Sequence, residues 1–224
     1  WPSSVRFGMH IKGGAVWVGD GWLVLGSAAD SLGRRRILRL VFEDAAGVIP
    51  TGEERAEGVQ SFLRGNDSGR WATALPRFSK VRLASVNEGI DAVLEASQHG
   101  LSLQLSKTPR SESAAVVMRI EGHRAFSPIA DGSLSFPTGS TSLNVTARSG
   151  RDVVGRIGAQ SSAHVRVVGA SRFRAELSGS DAHETQSIEL DLSWAGFVGG
   201  SSEQNVIGAG LDQTGHVILV GATD

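Results

Sequence analysis

From Val5 onward, apolar side chains alternate with small or polar ones: Val5, Phe7, Met9 and Ile11. A period of two places every second side chain on one face, which marks a half-buried strand. A Gly13-Gly14 break follows, then Ala15 to Val18, a Gly-Asp-Gly turn at 19–21, and Trp22 to Leu25, in the spacing of a hairpin or meander. Arg35 to Phe42 continues the rhythm, with Ile37, Arg39 and Val41 on one face and Leu38, Leu40 and Phe42 on the other. Residues 52–60 (GEERAEGVQ) offer the best short helical turn, without a sustained apolar stripe of period 3.6.

Strand-like runs resume at 79–86, 90–96, 100–106 and 114–121, and Ala125 to Phe136 reads as two short strands around Asp131-Gly132. Further strands are predicted at 142–148, 152–157, 163–169, 172–178 and 187–194. The tail, Asn205 to Val220, reads as strand, turn at Asp212 to Gly215, strand. The expected fold is all-β, with short strands in sandwich- or barrel-like layers and no closed propeller. A soft boundary is placed near residue 140, dividing the chain into two β subdomains, 1–140 and 141–224. No stretch is polar and long enough to be a flexible linker.

Composition changes this picture little. Forty per cent of the 224 residues are hydrophobic, enough for a real core. A net charge of −1 lacks the dense positive field that a nucleic-acid or membrane-surface role requires, so neither partner is expected. The tight basic run Arg34-Arg35-Arg36 reads as a solvated strand entrance. With no cysteine, disulfides, thiolate metal sites and cysteine nucleophiles are excluded. No apolar run approaches the ~20 residues of a membrane-spanning helix.

Candidate chemistry is sparse. Gly65-Asn66-Asp67-Ser68-Gly69 carries hard oxygen ligands, but without the acidic alternation of a calcium loop it reads as an Asx turn. Asp212-Gln213-Thr214-Gly215 reads as a turn between strands. His10, His99, His123, His164, His183 and His216 are scattered, with no pair at metal-ligand spacing on one element. There is no Gly-x-Ser-x-Gly elbow, and no dinucleotide or phosphate loop. Glu53-Glu54 and Glu189/Asp191 sit in polar or alternating contexts that suggest solvated faces. Trp17, Trp22, Trp71 and Trp194 lie in or beside strand-like runs, where core packing is the favoured role and a groove rim the alternative. No catalytic, cofactor-binding or metal-binding residue is assigned.

Two segments carry a family likeness. In residues 61–95, Gly65-Asn66-Asp67, Trp71, Pro76, Phe78, Val81 and Gly89-Ile90-Asp91 follow a fixed order, which Leu101 to Leu105 and Asp131-Gly132-Ser133-Leu134 continue. This order resembles the N-terminal domain that precedes SBBP-type β-propeller repeats in large bacterial surface and secreted proteins. The C-terminal Phe197 to Ser201, Gly210 to Gly215 and Val217 to Gly221 resemble part of one such repeat. The chain departs from the likeness in lacking tyrosine, with Phe78, Leu83 and Val86 where aromatic hydroxyls are expected and Glu88 where proline is usual. A propeller needs several four-stranded blades, and this sequence holds at most part of one.

The function expected from these readings is non-catalytic binding of a peptide or protein at an exposed strand edge, without a cofactor. One setting is recruitment of a precursor peptide for modifying enzymes in a bacterial peptide natural-product pathway. The alternative is a structural or adhesive domain of an exported surface protein, and the third a cryptic hydrolase. Exposed edges would also support homo- or hetero-oligomers. A stand-alone protein would be cytoplasmic, and a fragment of a longer exported one extracellular.

Overall fold

The computed structural model describes residues 4–29, 33–63, 65–97, 100–109, 111, 115–123, 126–128, 133–138, 141–149, 162–178, 186–196, 204–211 and 217–223. The strands are β1 (Val5–Ile11), β2 (Gly14–Gly19), β3 (Trp22–Ser27), β4 (Ile37–Phe42), β5 (Thr51–Phe62), β6 (Ala72–Asn87), β7 (Ile90–Ser97), β8 (Gly100–Lys107) and β9 (Ala115–Glu121). They continue as β10 (Ser127–Pro128), β11 (Leu134–Pro137), β12 (Thr141–Ser149), β13 (Ser162–Gly169), β14 (Arg172–Ser178), β15 (Gln186–Gly196), β16 (Gln204–Leu211) and β17 (Val217–Thr223). The fold is all-β.

Two antiparallel layers form the body, and neither closes into a barrel or propeller. The seven-stranded layer runs β1-β2-β3-β4-β9-β14-β13, and the eight-stranded layer runs β10-β11-β12-β15-β8-β7-β6-β5. The alternation read from the sequence sets which side chains meet between them. On β4, Leu38, Leu40 and Phe42 are buried while Ile37 and Arg39 are exposed. Inward side chains of both layers form one core, from Val16 and Leu25 through Leu94 and Leu103 to Phe173 and Leu190. Aromatic pairs bridge the layers at two places, Phe136–Phe173 at 5.6 Å and Phe7–Phe78 edge-to-face at 6.0 Å.

Tight turns fix the register. Gly21, between β2 and β3, has φ +78°, and a Cβ there would lie 2.1 Å from the Ala45 carbonyl oxygen. Only glycine satisfies both demands at once.

Residues 52–60 are no helical turn: they belong to β5, paired with β6 from Thr51↔Arg82 to Phe62↔Ala72 through two register shifts. Without an apolar helical stripe, the segment gains more from cross-strand pairing of its carboxylates with Arg82 and Lys80 than a lone turn would supply. The run 152–157 and the turns at 131–132 and 212–215 lie outside the described residues. Position 140 falls between β11 and β12, which pair with each other, while β15 pairs with both β12 and β8. The hairpin β16–β17 forms a two-stranded sheet of its own.

Candidate protein-binding arm

The β5–β6 hairpin is longer than the layer that holds it. β6 pairs with β7 from Lys80↔Glu95 onward, so residues 72–79 have only β5 beside them. Eight residues at about 3.4 Å each make a two-stranded arm about 27 Å long. Four of the seven large apolar side chains that stand exposed among the described residues belong to this hairpin and its tip: Val59 (59%), Leu63 (63%), Trp71 (39%) and Leu75 (36%). Scattered apolar exposure is ordinary in proteins; its concentration on one projecting element is not.

The arm is braced at its base. The Phe78 ring meets Phe7 of the opposite layer and lies over Gly52, where a Cβ would come within 2.4 Å of its Cγ. The Glu54 carboxylate accepts from Ser79 Oγ at 2.8 Å and pairs with Lys80, which holds its pKa below the ordinary glutamate range and raises that of Lys80. The Arg82 guanidinium bridges Asp91 and Glu53, and its pKa is raised in consequence. At the tip, Asp67 Oδ1 accepts from Gly69 N at 3.0 Å and caps the 3-10 turn Ser68–Arg70. Trp71 Nε1 donates to the Gly65 carbonyl at 3.1 Å. The Asx turn expected there is present.

Backbone strain gathers on the same hairpin. Glu54, Ala74 and Ser85 have φ of 53°, 54° and 55°, and all of the described non-glycine residues with positive φ lie on β5 or β6. Left-handed conformation costs a non-glycine residue about 1–2 kcal/mol, and such strain concentrates where a surface has work beyond stability.

The other candidates are dispersed. His10 and His164 are exposed, His123 packs edge-to-face on Phe136 at 5.6 Å, and His99, His183 and His216 lie outside the described residues. Among the described residues, no three His, Asp or Glu side chains converge as a metal site. Arg34 and Arg35 are exposed at the approach to β4. Glu189 accepts from Ser102 Oγ at 2.6 Å, and Asp191 is buried beside Arg148 at 3.0 Å rather than solvated.

The tryptophans correct the expectation of core packing. Trp17 and Trp22 are half-buried on the outer face of the seven-stranded layer, because Val16, Val18, Leu23 and Leu25 take the inward positions of their strands. Trp71 is exposed on the arm, and Trp194 alone of the four packs against the core, partly buried. Sequence reading missed Val59, Leu63 and Leu75. Gly58 and the absence of a 3.6-residue stripe were the signals that the segment is extended.

A family model described as a domain of unknown function (DUF7948) matches residues 1–147. The chain belongs to that family. No curated protein and no solved structure matches it. The DUF7948 match contains the whole arm and ends within β12. Strands β13, β14 and β15 lie beyond the DUF7948 match, yet β14 pairs with β9, and β15 fills the place between β8 and β12.

Proposed function

We propose that this chain is a protein-binding module whose β5–β6 arm is the principal contact. The observation that carries this reading is the concentration of exposed Val59, Leu63, Trp71 and Leu75 on one braced, projecting hairpin. Burying such side chains in a partner's groove supplies affinity without reactive chemistry. Side chains rather than a long backbone ladder make the contact, because β5 is broken by register shifts at Ala56/Val59 and Gln60/Phe62 and carries Glu53, Glu54 and Glu57. Bulges and charges of this kind guard an edge against strand addition. Among the described residues, β10 is only two residues long, which leaves β1 and β13, the outer strands of the seven-stranded layer, as edges where a peptide could dock as an added strand.

A photo-crosslinking residue placed at Leu63 in producing cells tests the arm, with the same residue at exposed Lys12 as control. A partner captured only from position 63 is then purified and titrated. Leu63→Ser with Val59→Ser should weaken that complex about 30-fold, the size of a hot-spot loss of about 2 kcal/mol. Equal labelling from both positions, or unchanged affinity, would sink the reading.

A second reading has its own support. β16–β17 pairs with neither layer, and a lone hairpin is marginal in water. A partial SBBP-like blade awaiting further strands accounts for it, and would make the chain part of an exported surface protein. Further repeats encoded after Asp224 are the expected finding under this reading.

A further inference from the structure

A different surface, on the far side of the seven-stranded layer, concentrates arginine side chains. The outward positions of four adjacent strands hold Arg39 on β4, Arg119 on β9, Arg172 and Arg174 on β14, and Arg166 on β13. The register sets Arg172 directly opposite Arg119, and Arg166 directly opposite Arg174. Like charges facing each other across strands destabilise a sheet. Each pair is only partly relieved: Glu43 lies 2.7 Å from Arg172 and 3.6 Å from Arg119, and Glu176 lies 2.6 Å from Arg166 and 3.5 Å from Arg174. Glu121 serves Arg39 and Arg119. Within this stripe five guanidiniums thus face three carboxylates, in a chain whose formal net charge is −1. Next to the stripe opens a groove of about 740 Å³, lined by Trp22, Val41, Glu43 and the Arg6-paired Asp20 with three of these arginines. Arg39 lies over the Trp22 ring, 5.2 Å from its centroid.

We infer that this face binds an extended acidic peptide segment with carboxylates at alternate positions. The spacing selects this ligand over a single anion. The two arginine pairs sit one i, i+2 step apart along β14, about 7 Å, and alternate side chains of an extended peptide recur at the same interval. A segment lying along β14 sets successive carboxylates against successive arginine pairs, in the geometry that suits charge-assisted hydrogen bonds. This inference stands apart from the arm, which lies on the other layer.

Fluorescence anisotropy with the full chain and a labelled alternating Glu-Ser peptide, at about 50 mM salt to limit screening, is the test. Expected is saturable binding, absent for a Lys-Ser peptide and about tenfold weaker in an Arg166→Gln, Arg174→Gln double variant. Glu176→Gln should act in the opposite direction and tighten binding, because it removes the carboxylate that competes for the same pair. Unchanged thermal unfolding of each variant separates lost recognition from lost folding. Absence of binding by the unaltered chain, indifference to the arginine substitutions, weakening by Glu176→Gln, or displacement by inorganic phosphate at carboxylate-equivalent concentration overturns the inference.

Discussion

Cutting the chain at the end of the DUF7948 match should abolish cooperative folding, although the arm and most strands are retained. The lost strand β15 pairs with β12 through nine register positions and with β8 through seven. Its Ile188, Leu190 and Leu192 are buried, as are Phe173 and Leu177 of β14, which is lost with it. Five large side chains at about 1.5–3 kcal/mol each amount to about 8–15 kcal/mol. Discounting by about a third for burial that persists in unfolded chains leaves about 5–10 kcal/mol, comparable with the whole stability of a domain at about 5–15 kcal/mol. The vacated slot cannot close by itself, since β8 and β12 would stand about 9.6 Å apart, two strand spacings. Urea titration followed by tryptophan emission and circular dichroism compares residues 1–147, residues 1–196 and the full chain. The 1–196 chain should unfold in one cooperative step, because β16–β17 pairs only with itself, while 1–147 should show no such step and should bind an apolar dye. A sharp transition for 1–147 would refute the reasoning.

Two smaller predictions concern the arm. Gly52→Ala should destabilise the protein by about 1–3 kcal/mol, since the added methyl drives into the Phe78 ring and must displace it from Phe7; chemical denaturation measures this, and a neutral result would show that the ring shifts freely. Glu54 has a folded-state pKa below its ordinary value near 4.5, so its bracing is fully present above that value and lost as pH falls through the folded one. Hydrogen exchange at residues 54–57 and 77–80, corrected for intrinsic rates, should therefore accelerate as pH falls through the lowered folded-state pKa of Glu54, and Glu54→Gln should remove that pH dependence.

Much of the fold was legible because period-two alternation is a local signal. Leu38, Leu40 and Phe42 turned inward as their spacing required, and the breaks at Gly13 and Gly21 fell where chain reversal needs positive φ. The reading failed at 52–60, where Glu-Glu-Arg-Ala-Glu has a helical composition and extension is imposed by a partner strand some 25 residues later. Trp17 and Trp22 also face outward against expectation, because the phase of the alternation and not residue size decides which side chains turn in. The arginine stripe was half visible: Arg172, Arg174 and Arg166 alternate with apolar neighbours, but only the register places them face to face. Strand order between layers leaves no local mark at all.

The late position of β15 has a consequence in time. Lys107, at the end of β8, and Gln186, at the start of its neighbour, are about 80 residues apart, so a ribosome working at about 5–20 residues per second leaves about 4–16 s between them. During that interval the nascent chain displays the bare flank of β8, and Leu101, Leu103 and Leu105 lack the Leu192, Leu190 and Ile188 that stand opposite them in the finished sheet. A cell making this protein in quantity must keep those leucines from meeting their counterparts on a neighbouring polysome.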